Sequence, residues 1–304
     1  MTGRPILKLP PAISAEHLKG GGTTGMVALL PGQTVIKFPH GEPDDIVRLR
    51  KEGDIYERFQ KAKRRPRSLL QYRGRTKDGI LLEYAERGSV REYLRSQTSA
   101  PSSILLLRWA EQAAEALAFS HANGVLHGDI NCSNYFLTQQ LELKLGDFAT
   151  SAMDGPTTSL YSITHQLADA DITSSQTEIF AFGSSLYEMV TGRAPYADLD
   201  YEEVESRFRQ KQFPDLSIIR VLGGTVGKCW MLEFDNMEDV LEAIKAECKD
   251  PITHALQVAK LIHLDSALST RTPSKSKPNQ STVALLFSAV LVGHVLQTAF
   301  LSGR

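Results

Sequence analysis

Hydrophobic positions change period once along the chain. From about residue 15 to residue 85 they come as short β-like runs separated by turn residues. The runs GMVALL (25–30) and TVIKF (34–38) flank Pro-Gly-Gln and predict a hairpin. Residues 44–62, DDIVRLRKEGDIYERFQKA, place Ile46, Leu49, Ile55, Tyr56 and Phe59 on one imperfect helical face, interrupted by Gly53. GILLEYA (79–85) has the continuous apolar character of a buried strand. After about residue 90 the period becomes helical. Residues 104–124 predict a long helix stopped by Asn123-Gly124, residues 178–192 a second one closed by Gly192, and residues 237–248 a third. No internal repeat is present. A small β-rich part followed by a larger helical part predicts an α+β chain of two lobes with a cleft between them.

Composition narrows this picture. Lys plus Arg (34) nearly equals Asp plus Glu (35), so no nucleic-acid partner is expected. Cys132, Cys229 and Cys248 are far apart and form neither zinc spacing nor a disulfide framework, which points to a reducing, cytoplasmic setting. The first residues contain no apolar core of signal-peptide length. Residues 264–281 are polar, Pro-containing and basic and predict a linker. Residues 282–301 then carry no formal charge over about the length that crosses a bilayer. This segment is either a tail anchor, with the basic Arg271, Lys275 and Lys277 on the cytosolic side, or a buried or amphipathic C-terminal helix.

The candidate chemistry begins at KGGGTTGMV. Gly20, Gly22 and Gly25 form G-x-G-x-x-G, a pattern that lets backbone approach phosphates. Alone it equally describes a glycine-rich hairpin tip. Val27 follows on the outgoing strand, where it can cover a flat base. Lys37 ends the next strand and can reach phosphates beneath the loop, although a lone strand lysine is most often solvated. It needs a carboxylate to hold it, and Glu52 on the following helix is the candidate. Taken singly, Glu52 reads as a surface charge.

The second half of the chemistry lies in VLHGDINCSNYFL (125–137) and LELKLGDFATS (141–151). Asp129 can accept or orient a hydroxyl for attack on a γ-phosphate. Asn134 offers an amide oxygen to magnesium. His127, between apolar residues, reads as a structural core histidine. Asp147 follows an apolar strand and precedes Phe148, a natural place for a metal-binding carboxylate and also for an ordinary turn aspartate.

In this order the set resembles the eukaryotic protein kinase domain, and in particular divergent fungal protein-kinase-like proteins. The resemblance covers about residues 17–263, after an N-terminal extension of residues 1–16. It implies a two-lobed protein-kinase-like fold with a small β-rich N-lobe (about 17–85) and a larger helical C-lobe (about 86–263). It further implies ATP and Mg2+ in the cleft. ATP would lie against Gly20, Gly22, Gly25, Val27, Val35, Lys37, Glu83, Ala85 and Phe136, with Leu82-Glu83-Tyr84-Ala85 as the hinge. Lys37, Glu52 and Asp129 would be catalytic, and Asn134 and Asp147 would bind metal.

Several positions depart from the family pattern. Gly128 stands where an arginine often meets a phosphorylated activation loop, so no phosphate-dependent switch is expected at Thr157, Thr158, Ser159 or Tyr161. Asn131 replaces a lysine that touches the γ-phosphate, and one positive charge is lost. Ala149 replaces the glycine after Asp147-Phe148. Glu178 occupies the place of an aspartate that anchors the catalytic loop, and its extra methylene is expected to loosen that anchor. Val35 fills a small-residue place over adenine. No Ala-Pro-Glu segment precedes Glu178.

Three readings compete. The first is an ATP-dependent protein kinase acting on a protein hydroxyl, Ser/Thr before Tyr, with an unidentified protein substrate. The second is a nucleotide-binding pseudokinase scaffold. The third is a small-molecule phosphotransferase, since His-Gly-Asp also resembles aminoglycoside and choline-type kinases. EIFAFGSSLYEMVTGRAPY, with Gly183, Tyr187, Glu188, Gly192 and Pro195, resembles the protein-kinase C-lobe and argues against the third, as does Trp230.

Overall fold

Strand alternation explains how the first lobe makes one wall of a cleft. The computed structural model describes residues 9–11, 13–22, 24–155 and 161–249. The linker, the apolar segment 282–301, the C-terminal limit at residue 263, and Thr157, Thr158 and Ser159 lie outside the described residues. Residues 1–245 make up one unit of the chain, which holds every element up to the last turn of the final described helix. Strands β1 (Leu18–Gly21), β2 (Met26–Leu30), β3 (Thr34–Phe38), β4 (Tyr72–Arg75) and β5 (Ile80–Glu83) form an antiparallel sheet in the order β1-β2-β3-β5-β4. The predicted β2–β3 hairpin is present, with Val27 opposite Lys37. Successive strand residues face opposite sides of a sheet. Ala28, Ile36 and Phe38 therefore pack with Ile13 on one face. Val27, Val35 and Lys37 face the cleft on the other.

Helix α1 (Pro43–Lys61) follows β3 and lies on the side of the sheet that Lys37 faces. Pro43 suits the first turn, and Asp44 and Asp45 there, with Arg58 and Lys61 in the last turn, complement the helix dipole. Its buried face is Leu49, Glu52, Gly53, Ile55, Tyr56 and Phe59. Ile46, expected on that face, is 37% exposed: the inward stripe starts one turn later. At Gly53 the Arg75 guanidinium of β4 lies where a Cβ would start, 2.6 Å away, and a side chain there would displace only that guanidinium. Arg75 in turn pairs with Asp54 at 2.7 Å.

The second lobe is helical: α2 (Val90–Ser96), α3 (Ser103–Ala122), α4 (Ser175–Thr191), α5 (Tyr201–Arg209), α6 (Gly223–Trp230) and α7 (Met237–Lys249). The three long helices match the predicted periodicity. Helix α4 begins earlier than its apolar run because Ser174 caps it, its hydroxyl accepting from the Thr177 amide. Gly192 closes it in the left-handed conformation, at φ +78°. Gly183 lets α4 and α6 touch, since a Cβ there would meet the Cys229 Cβ at 2.7 Å. Trp230 is core, as expected, and donates to Ser184 at 3.0 Å. Two small antiparallel pairs lie between α3 and α4: β6 (Val125–Leu126) with β9 (Ala152–Met153), and β7 (Tyr135–Leu137) with β8 (Leu143–Leu145). They hold residues 127–134 between two strands. The sheet-rich and helical parts together make the two-lobed α+β architecture that the periodicity predicts.

Candidate active site

A cleft of about 450 Å³ is lined from both lobes. Gly20, Gly22, Gly25, Val27, Val35, Lys37, Glu52, Glu83, Ala85, Asn134, Phe136 and Asp147 all contribute to its walls. The glycine loop depends on close backbone approach at one position. A Cβ on Gly25 would lie 2.6 Å from the Phe38 carbonyl oxygen. The Gly22 amide closes the turn onto the Gly25 carbonyl at 2.9 Å. At the hinge, the Glu83 carboxylate accepts from the Gln71 amide at 3.0 Å and pairs with Lys144 at 3.3 Å. Its side chain braces the connection between lobes.

The electrostatic centre is Lys37. Its Nζ lies 2.7 Å from Glu52 Oε2 and 2.6 Å from Asp147 Oδ1. Burial pushes the ammonium pKa down, but the two carboxylates outweigh that and hold it above the ordinary lysine value. Burial pushes the Glu52 carboxyl up against the pull of Lys37. For Asp147 burial acts the same way, yet Lys37 and neighbouring donors leave it below the usual carboxylate range. The Phe148 amide donates to Glu52 Oε1 at 3.3 Å. Phe148 itself is fully buried, edge-on to Tyr56 and Phe59 at 5.3 Å each and 4.9 Å from the His127 ring. One aromatic stack thus joins helix α1 to His127.

Asp129 does not line the cleft wall. Two side-chain amides hold it. Asn131 Nδ2 donates to its Oδ1 at 2.8 Å, and Asn134 Nδ2 donates to its Oδ2 at 3.0 Å and its carbonyl at 2.7 Å. Burial pushes the Asp129 carboxyl up, partly offset by His127 and these amides. Asn131 appeared in the sequence only as a lost charge. It also orients Asp129 and accepts from the Ser133 amide at 2.8 Å. Asn134 commits its NH2 to Asp129, which leaves its oxygen for a cation beside Asp147. One amide oxygen and one carboxylate are a donor set that fits magnesium completed by phosphate oxygens. Among the described residues no cluster of three or more His, Cys, Asp or Glu forms a metal site.

His127 is fully buried and its Nε2 donates to the Gly146 carbonyl at 2.9 Å, so its role is structural. Glu178 corrects one expectation: the longer side chain does not loosen the anchor. It is fully buried and accepts the His127 amide at 2.9 Å and the Gly128 amide at 2.7 Å. Tyr161, where no phosphate-dependent switch is expected, is 6% exposed and donates to Glu178 at 2.6 Å. The sequence also missed Arg91, which lines the cleft. Its guanidinium grips both oxygens of Glu188, at 2.6 and 2.7 Å, and donates to Ser133 at 2.7 Å. Its one available signal was the capping box Ser89…Glu92, which starts helix α2.

Among the described residues no helix is long and apolar enough to cross a membrane. A family model described as "Protein tyrosine and serine/threonine kinase" matches residues 68–237, more than half of the 304 residues. A serine/threonine-protein kinase, pkpA, of Phycomyces blakesleeanus is 31% identical over 127 residues, covering 39% of this chain and 21% of that protein. Mitogen-activated protein kinase kinase kinase 9 of Arabidopsis thaliana is 29% identical over 162 residues, 49% of this chain and 21% of that protein. A probable serine/threonine-protein kinase of Dictyostelium discoideum is 31% identical over 143 residues, 44% and 29% of the two chains. The matched stretch spans less than a third of each of these relatives.

Proposed function

The chain belongs to the protein tyrosine and serine/threonine kinase family, and from that premise we propose that it is an ATP-dependent protein kinase that phosphorylates serine or threonine hydroxyls. The family model begins at residue 68, so the roles of Gly20 to Glu52 rest on geometry alone. The observation that carries the reading is Lys37, held at 2.7 Å by Glu52 and 2.6 Å by Asp147 inside the one cleft where the glycine loop and Asn134 meet. An isolated structural ion pair has no need of a second carboxylate at a glycine-loop cleft.

In this reading the glycine-loop amides and Lys37 hold the phosphates of ATP. Val27, Val35, Ala85 and Phe136 enclose the base. Asn134 and Asp147 hold Mg2+, which supplies charge neutralisation on the phosphates. Asp129 orients the acceptor hydroxyl. The hydroxyl oxygen forms a bond to the γ-phosphorus as the bond to the β–γ bridging oxygen breaks, ADP leaves with that electron pair, and the hydroxyl proton passes to the Asp129 carboxylate. Asn131 and Asn134 keep that carboxylate aimed through the exchange. With Asn131 in place of a cation, the loop contributes no positive charge toward the transferred phosphate, and turnover is expected to be slow.

The serine/threonine preference rests on the descriptions of two of the relatives, those of Phycomyces blakesleeanus and Dictyostelium discoideum, and the protein substrate is a protein of unassigned identity. Asp129→Asn tests the mechanism. Transfer of phosphate from ATP is expected to vanish while nucleotide still raises the melting temperature. Unchanged turnover in that variant removes Asp129 from its role. Nucleotide stabilisation without transfer in the wild-type chain would establish the scaffold reading instead.

A further inference from the structure

The Glu178 carboxylate is used to capacity. Its Oε2 accepts the His127 amide at 2.9 Å and His121 Nε2 at 2.8 Å. Its Oε1 accepts the Gly128 amide at 2.7 Å and the Tyr161 hydroxyl at 2.6 Å. Four donors match the four lone-pair positions of a carboxylate. We propose that Tyr161 is a positioning residue for phosphate transfer, its hydroxyl docking the segment that follows Asp147-Phe148 onto the same carboxylate that fixes the catalytic loop. This rests on the kinase reading only for its catalytic consequence; the docking stands on geometry.

Three observations carry it. First, the near end of the segment is already tied to the catalytic loop. Strand β9 pairs with β6, and Ser151 Oγ donates to the His127 carbonyl at 2.8 Å. Tyr161 supplies a second tie beyond it, through Glu178 of helix α4, which itself accepts the His127 and Gly128 amides. Second, the residue beside the loop aspartate carries no cation that could receive a phosphate. Gly128 sits at φ +80°, and a Cβ there would come within 2.9 Å of the Thr150 carbonyl oxygen. The backbone of the segment fills the space where a side chain would start. Third, reach decides the partner. A glutamate at position 178 has one more methylene than an aspartate. That length lets one carboxylate span both loop amides on α4's inner side and the tyrosine of the incoming segment.

The Tyr161 hydroxyl is raised well above the ordinary tyrosine value by burial and by the Glu178 charge, so it remains a donor throughout the working pH range. Burial pushes Glu178 up, but the donors from His121, His127 and Gly128 hold it ionised, below the usual glutamate value. A hydrogen bond from a neutral hydroxyl to a buried carboxylate is among the stronger kinds. Tyr161 is thereby held by a group built into the chain, with no added phosphate.

The test uses the full chain with Tyr161→Phe, and Glu178→Asp as a second variant that shortens the acceptor and keeps its charge. Amide hydrogen exchange is read over residues 125–134 and 161–166. The account expects exchange there to rise about tenfold or more in Tyr161→Phe, the weight of one hydrogen bond to a charged group. The kcat for transfer should fall by a similar factor with the KM for ATP unchanged, and nucleotide-induced stabilisation should persist. Glu178→Asp should reproduce the rise over 161–166. Wild-type exchange in both variants overturns the docking, and raised exchange with unchanged kcat overturns the positioning role. Absence of transfer in the wild-type chain defeats the kinase reading by itself, and the exchange comparison then still decides the docking.

Discussion

Putting back the residue that the family pattern expects at position 128 should damage this protein. Gly128 has φ +80°, a left-handed conformation that costs an L-residue about 1–2 kcal/mol. A Cβ there would also lie 2.9 Å from the Thr150 oxygen and 3.4 Å from its carbonyl carbon. Both are backbone atoms of the segment that leaves Phe148, so relief requires moving that segment, at about 1 kcal/mol or more. Gly192 supplies the control. Its φ is +78°, and a Cβ there meets nothing within 4 Å. Gly192→Ala should therefore cost only the conformational part, about 1–2 kcal/mol, and Gly128→Ala about 2–3 kcal/mol. For a domain of this size that difference amounts to about 2–4 °C in Tm per kcal/mol. Gly128→Arg carries the same Cβ and should be destabilised at least as much as Gly128→Ala. Denaturant midpoints of the three variants, measured together with the wild type, decide it. Equal losses in Gly128→Ala and Gly192→Ala would remove the Thr150 contact from the argument, and a Gly128→Arg protein as stable as the wild type would refute the reasoning altogether.

Two further expectations concern groups that sit one layer away from the cleft. Asn131→Ala removes the 2.8 Å bond to Asp129 Oδ1, and kcat should fall about tenfold with the KM for ATP unchanged; a loss confined to KM would place Asn131 on the nucleotide rather than on Asp129. Burial holds the His165 imidazole down to about 4, against the attraction of Glu188, from an ordinary 6.5. The unfolded chain then binds a proton that the native protein does not, so this contribution to stability is complete above about pH 6.5 and is lost as pH falls toward 4, by about 3 kcal/mol in all. Denaturant midpoints followed over that range should decline less steeply in His165→Gln, and an identical slope would mean that His165 does not titrate as described.

The sequence carried the cleft better than it carried the supports behind it. Lys37, Val27 and Val35 could be placed on one face because strand alternation is strict, and Glu52 followed from helical spacing beside Ile55 and Tyr56. Those are local rules acting over a few residues. Glu178 and Tyr161 could not be joined that way. They belong to a helix and to an irregular segment, and their pairing is a product of the third dimension. Arg91 and Glu188 are 97 positions apart, with no shared periodicity to connect them. Asn131 was misjudged by its charge alone, because what it donates to depends on a loop conformation that composition does not encode. Helices α2, α5 and α6 went unpredicted since they are short, at seven to nine residues, and are held by caps and packing more than by an apolar stripe. Ile46 looked inward by spacing, but it is 37% exposed at the first turn of the helix.

The central claim is that the Lys37–Glu52–Asp147 cleft transfers phosphate. The direct measurement is Mg2+-dependent transfer from γ-labelled ATP to a generic protein substrate and to the chain itself, by the full-length protein and by Asp147→Asn. The account predicts slow transfer by the wild type that requires Mg2+ and disappears in the variant. Transfer that survives in Asp147→Asn, or none from a folded wild-type protein, would contradict it.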